Sequence, residues 1–279
     1  MNNKPAPAPI YTPMLTTEAG SCLTLANWQE TGTTTVSYQL ESLLLKPGFS
    51  LLKELKTLKS YVGWQNKIVL NASLPPNKQG IYSIRSPYDG SVLRIAQEEI
   101  CSLINQLQPD MVILPADIDL ALSTTLFSLM NTFIVPNEKS SASGQNYGWY
   151  LSYELSSSFE SLQKKIETYQ DKPIYLSGNF DLSQWSVLTK YNSLYVESDL
   201  PAQNAMLGKV YSEGKIIDLH NDAMTHQQIV IDKNCSCPVC QQMFTRAYFH
   251  HLISQTPLLC QRFLIQHNVY YYQNYGQFL

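Results

Sequence analysis

Short apolar runs alternate with amphipathic segments along most of this 279-residue chain. Thr33–Tyr38, Ile68–Asn71, Met111–Leu114, Thr132–Val135, Gly148–Leu151, Ile174–Ser177 and Leu194–Glu197 read as strands. Leu40–Lys59, Ile95–Leu107, Ser157–Tyr169 and Leu182–Thr189 carry apolar residues at helical spacing. Such alternation predicts parallel strands joined by crossover helices, in a closed (β/α)8 barrel or an open α/β sheet. Ile81–Ile84 and Ser91–Leu93 flank Asp89-Gly90, a dipeptide that favours a hairpin turn. The polar stretch Glu138–Asn146 reads as a surface loop.

The rhythm changes after residue 230. Two helices are expected, about Gln242–Gln255 and Pro257–Tyr272, the second with Thr256 as N-cap and proline at its first position. Leu259, Phe263, His267 and Tyr270 recur at i, i+4, i+8 and i+11, a face expected to point at the core. Just upstream stand Cys235, Cys237 and Cys240. Three thiols in six residues can close on one metal ion, and His267 can supply the fourth ligand. Zinc suits this set, because a Cys3His tetrahedron is one of its closed structural sites. The other three cysteines, Cys22, Cys101 and Cys260, read as small core residues. Six cysteines distributed this way do not form a secreted disulfide framework, so a cytoplasmic location is expected.

Net charge is −3, from 19 basic and 22 acidic residues. That balance, with four arginines in all, argues against a strong grip on nucleic acid. No apolar stretch is long enough for a membrane span. Met1–Pro9 reads as a loose arm, 10–230 as the barrel and 231–279 as a metal-binding helical subdomain packed on it. His250-His251 reads as a surface or interface pair. Tyr270, Tyr271, Tyr272 and Tyr275 read as helix packing or a subunit contact.

The run from Cys235 to Leu252, with Gln266-His267-Asn268 after it, resembles the zinc subdomain of the tRNA-guanine transglycosylases. Those enzymes exchange a guanine of the tRNA anticodon for queuine or its precursor base. The family pattern is Cys-x-Cys-x2-Cys, an aromatic-(Ser/Thr)-Arg-Ala-Tyr run, His-Leu and His-Asn. The chain carries every element in order, with one extra residue between Cys240 and Phe244. Lys46-Pro47-Gly48, Val62-Gly63-Trp64, Asp89-Gly90 and Leu200-Pro201 with Asn204-Ala205 echo other family segments. The resemblance implies an irregular (β/α)8 TIM-type barrel with a C-terminal zinc subdomain. It also implies a dimer, formed with a second copy or with a transglycosylase subunit, through that subdomain.

The catalytic segments depart from the family pattern. Val196-Glu197-Ser198-Asp199-Leu200-Pro201 matches Phe-Asp-Cys-Val-Leu-Pro, so Glu197 falls on the nucleophile position with one methylene more. Asn71 stands where the family has an acid/base aspartate, and an amide is no base near neutral pH. The family's base-reading aspartate aligns with Ala116, one residue before Asp117. Tyrosines replace glycines after Gly148, and Gln203 and Met206 replace two tRNA-facing arginines. The expected function is that of a catalytically impaired paralogue, a partner or binding subunit in queuosine-type tRNA modification with weak tRNA contact. The alternative is an active, divergent transglycosylase that exchanges guanine for a 7-deazaguanine base, with Glu197 as nucleophile and Asp117 or Asp199 assisting.

Overall fold

Val36, Ile68, Val69, Leu70, Val112, Ile113, Leu176 and Val196 are each at most 1% exposed. Strands covered on both faces in this way belong to a parallel sheet wrapped by helices. The computed structural model describes residues 9–119, 130–136, 147–153 and 158–277. Among them the strands are β1 (Ile10–Thr12), β2 (Thr35–Gln39), β3 (Lys67–Asn71), β4 (Ile81–Arg85), β5 (Val92–Ala96), β6 (Met111–Ile113), β7 (Asn131–Ile134), β8 (Tyr147–Ser152), β9 (Ile174–Ser177), β10 (Leu194–Glu197), β11 (Lys209–Ser212) and β12 (Lys215–Asp218). Eight form one sheet in the order β1-β10-β9-β8-β7-β6-β3-β2, with every pairing parallel. The ring closes between β1 and β2 through a single bridge at Met14 and Ser37, where Ser37 N donates to Pro13 O at 2.9 Å and Leu15 N to Ser37 O at 2.8 Å. The fold is the TIM-type barrel the alternation and the resemblance imply.

The barrel interior is a packed core in layers, as small barrels require. Val69, Met111, Ile113, Phe133, Tyr150 and Tyr175 fill it as a cluster separate from the larger core that contains the helix-facing residues. Gly148 makes room for this filling, because a Cβ there would lie 2.5 Å from the Phe133 ring. The layer toward the strands' C-terminal ends is polar: Ser37, Asn71, Ser177 and Glu197 meet there.

Several boundaries differ from the sequence expectation. The Leu40–Lys59 helix is broken into Leu40–Leu43, a wide turn over Leu44–Gly48, Phe49–Leu52 and Leu58–Val62. Pro47 is the cause, since it pushes the preceding residue out of helical backbone, and Lys46 sits at φ −143°, ψ 118°. Ile95 and Ala96 belong to β5, and the following helix is Gln97–Leu107. The helix expected from Gln242 begins at Arg246, with Thr245 as its N-cap, because Met243 holds a positive φ of 61°. The β11–β12 hairpin is not among the sequence expectations, although Val210-Tyr211 and Ile216-Ile217 flank a Glu213-Gly214 turn. Glu138–Asn146 and most of the N-terminal arm lie outside the described residues.

The last helix, Pro257–Gln273, presents a different face from the one expected. Leu259 is 42% exposed, whereas Cys260, Leu264, His267 and Tyr271 are each at most 1% exposed. The apolar stripe is thus turned by one residue, which exchanges the flanking positions while keeping His267 inside. Asn268 ties the helix to the barrel, donating to Pro201 O at 3.0 Å and Lys209 O at 2.9 Å and accepting from Tyr211 N at 3.2 Å. These bonds cross the 230/231 division. Tyr272 stacks on Trp185 at 4.4 Å and donates to Phe180 O, so this tyrosine is packing.

Candidate functional site

The metal-type cluster is built by three local devices. Cys237 N-caps the turn Pro238–Gln241, with Cys240 N donating to its Sγ at 3.2 Å, which folds two thiols toward each other. The long helix delivers His267 from the opposite side. Its Nε2 donates to Tyr211 O at 2.7 Å, which leaves the Nδ1 lone pair facing the sulfurs. Nδ1 lies 3.8 Å from Cys235 Sγ and 3.4 Å from both Cys237 Sγ and Cys240 Sγ. All four ligand atoms are within 4.8 Å of one another, and all four residues are buried. A tetrahedral zinc ion with ordinary bond lengths would separate sulfur from nitrogen by about 3.6 Å, so the donor set fits such an ion. Hydrogen bonds from Cys235 and Cys240 draw the Cys237 thiol well below its ordinary value, and the mutual contacts push Cys235 up. The group can hold a metal; it has no open ligand position to do chemistry with.

His250 and His251 do not join it. His250 Nδ1 pairs with Leu219 O at 2.8 Å and His251 is exposed. Cys22, Cys101 and Cys260 are free, the last two buried.

In the barrel, Glu197 closes β10 and is 1% exposed. Four neutral side chains donate to its carboxylate. Asn71 Nδ2 and Ser177 Oγ reach Oε1 at 2.9 and 3.0 Å, while Tyr175 OH reaches Oε2 at 2.9 Å and Ser37 Oγ also bonds Oε2. These donors come from β2, β3 and β9, and they fill the four lone-pair sites a carboxylate offers. The Tyr150 hydroxyl faces Ser73, Ser177 and Asn71, and burial and the Glu197 charge raise its pKa. The amide of Asn71, read from sequence as a lost acid, is thus a donor that holds Glu197 in place.

Asp199 lines the same recess as Glu197, a cavity of about 270 Å³ at the mouth of the barrel. Its carboxyl is pushed up to about 6, first by burial, with the Glu197 charge adding to it. The hydrogen-bond geometry agrees. Thr17 Oγ1 has one proton but lies 3.0 Å from both Met14 O and Asp199 Oδ1, and it already accepts from Gly20 N. Below its pKa, Asp199 can donate to Thr17 Oγ1 and free the hydroxyl proton for Met14 O. Gln203 Nε2 donates to Oδ2 at 3.1 Å, so the residue at the position of a family-pattern arginine supports this acid. Tyr153 also lines the recess, stacked on Phe180 at 5.2 Å. Glu154 and Leu155 lie outside the described residues. Asp117 is elsewhere: exposed, it accepts from Asn77 N and from Tyr82 OH at 3.2 Å, anchoring the β4–β5 hairpin.

A TIM-type barrel with a buried Cys3His clip behind it defines a narrow class of proteins. The family model for queuine tRNA-ribosyltransferase matches residues 1–125 and 156–277, and the chain belongs to that family. The queuine tRNA-ribosyltransferases of Clostridium acetobutylicum and Clostridium perfringens are each 34% identical to it over 103 residues, 37% of this chain and 27% of theirs. That of Clostridium botulinum is 32% identical over 105 residues, 38% and 28% of the two chains. The aligned stretch spans 27 to 28% of these curated relatives. Among the described residues, no helix is long and apolar enough to cross a membrane.

Proposed function

We propose that this chain is a catalytically impaired member of its family that serves as a partner subunit in queuosine-type tRNA modification. One observation carries the reading: every lone pair of the Glu197 carboxylate is engaged by a neutral donor inside the barrel. A nucleophile needs a free lone pair aimed at the reacting carbon. Here Glu197 is instead a structural knot joining β2, β3, β9 and β10. Tyr150 and Tyr153 occupy space beside it.

Cys235, Cys237, Cys240 and His267 hold a structural zinc ion, and residues 231–279 form the subdomain it organises. That subdomain carries an exposed apolar row suited to a second copy or a transglycosylase subunit. Met243 is 69%, Leu259 42% and Tyr248 39% exposed, and the rings of Phe244, Tyr248 and Phe263 run between them. The pair works in the cytoplasm, where thiols such as these stay reduced. The test is incubation of the purified chain with tRNA and labelled guanine or a 7-deazaguanine, alongside capture with an active transglycosylase. The expected result is no incorporation by the chain alone and recovery of a complex. Incorporation that vanishes in Glu197→Gln would overturn the reading.

A second reading has its own support. Glu197 shares one recess with Asp199, whose pKa burial raises toward neutrality, and a raised carboxylic acid beside a second carboxyl is an arrangement acid–base chemistry uses. In that case Glu197 acts as nucleophile and Asp199 as the acid, and the incorporation assay separates the two readings.

A further inference from the structure

Two of the chain's four arginines stand on one face of the β4–β5 hairpin. Burial along β4 alternates, with Tyr82 and Ile84 inward and Ile81, Ser83 and Arg85 exposed. The register pairs Ser83 with Arg94 and Arg85 with Val92, so Arg85 and Arg94 are diagonal neighbours on the outward face. Neither has a carboxylate partner: the one ion pair among the described residues is Lys59–Asp110. Arg85 reaches only Gly90 O, at 3.4 Å, within its own turn. Of the acids adjacent in sequence, Asp89 is committed to Ser91 and Glu99 to the backbone of Ala96, while Glu98 sits on the following helix. At the tip, Tyr88 is 65% exposed, and Lys46 Nζ lies 3.4 Å from its ring centroid.

The hairpin's position gives this face a use. It is inserted after β3, whose last residue is Asn71, and Asp117, just beyond β6, clasps it through Asn77 and Tyr82. It therefore rises from the C-terminal ends of the strands, the side on which Glu197 and the recess lie. Unpaired guanidinium groups beside an exposed aromatic ring match the chemistry of a nucleic-acid strand, which offers phosphates and stacking faces.

We propose that the outward face of the β4–β5 hairpin, through Arg85, Arg94, Lys46 and Tyr88, is the RNA contact of this chain. It takes phosphates with the cations and a base or ribose with the ring. This rests on the reading above that tRNA is handled at all. It relocates the contact away from Gln203 and Met206, where the family pattern has arginines.

The experiment measures binding of unmodified tRNA to the full chain by fluorescence anisotropy across a salt series. Wild type is compared with Arg85→Glu/Arg94→Glu and with Tyr88→Ala. All three sites are exposed, so thermal melts should coincide. The double variant should lose at least ten-fold in affinity at about 50 mM salt, and its log K against log salt slope should shrink by roughly 1.5. Tyr88→Ala should lose several-fold with the slope unchanged. Unaltered affinity and slope in the double variant would overturn the proposal, as would absence of tRNA binding by wild type. Loss of transglycosylase capture with tRNA binding intact would also overturn it, by making this a protein-binding face. Capture that persists while tRNA binding ignores the arginines would sink this inference alone and leave the partner role standing.

Discussion

The metal cluster and the barrel mouth descend from the same family pattern, yet they have fared differently. In the C-terminal segment all four ligands are present, oriented and backed by Tyr211 and Asn268. At the mouth, the acid is lengthened, its partner is an amide, and tyrosines press in from β8 and beyond. A ligand cluster is all or nothing, because three thiols without the fourth ligand neither hold the ion nor fold the loop. A catalytic pocket decays one residue at a time, and each change can be absorbed by a new hydrogen bond. On the proposed reading Asn71 and Gln203 are such changes: each stands where the family pattern has a charged residue, and each donates to a buried carboxylate.

The largest effect that can test this contrast is loss of the metal. Structural zinc contributes on the order of 10 kcal/mol or more to the folding of small clips. Chelation or Cys237→Ser should therefore unfold the segment and lower Tm sharply, with elemental analysis giving one zinc per wild-type chain. A melt indifferent to chelator would remove the metal side of the comparison.

Next in size is Glu197→Gln. One carboxylate oxygen becomes an NH2 group facing hydroxyl or amide donors, so the cage is left with a clash and an unmet partner. The expected loss is about 3 kcal/mol, read by denaturant unfolding. A site kept for catalysis behaves the other way, gaining stability when its reactive group is neutralised. A stabilised Glu197→Gln variant would move the mouth from structural knot to working site.

The same logic gives Asp199→Asn the opposite sign. The folded-state value of about 6 lies above the ordinary 3.8. Asp199 is therefore harmless to stability below about pH 4, where it is neutral in both states. Its contribution is lost as pH rises from about 4 through 6, because folding must then bury a charge. Asparagine removes that burden, so the variant should be more stable by about 2 kcal/mol at pH 8 and equal to wild type at pH 4. Equal stabilities at both pH values would show that Asp199 is not held protonated.

How much of this is legible in the sequence depends on the range of the contacts. The three thiols stand within six residues, so spacing alone exposed them, and the long apolar runs of β3, β9 and β10 were bounded to within a residue. The Glu197 cage was not visible. Ser37 lies 160 residues away and Asn71 126, and no local pattern pairs them. A faint cue exists, in that Asn71 and Ser177 are polar residues closing the apolar runs of β3 and β9, and Ser37 sits between Val36 and Tyr38 in β2. Pro47 should have broken the Leu40–Lys59 helix on local grounds alone. The phase of the last helix is ambiguous in the sequence because Leu258, Leu259 and Cys260 are consecutive and apolar, so a helical period can start from any of them.

That phase yields the smallest and most selective prediction. Leu259 was expected in the core, but it lies 42% open to solvent beside Phe263, one turn along. If the exposed row on the metal segment is a contact surface, Leu259→Ser should leave Tm within the change typical of a surface substitution, about 0.5 kcal/mol, while weakening capture of a transglycosylase subunit or of a second copy. Leu264→Ala, five residues on and fully buried, should cost about 2 to 5 kcal/mol. A Leu259→Ser variant that destabilises like a core substitution would restore the phase read from the sequence. One that changes neither Tm nor capture would leave the metal clip intact but take the partner surface away from it, and only the clip would then distinguish the metal segment from the barrel mouth.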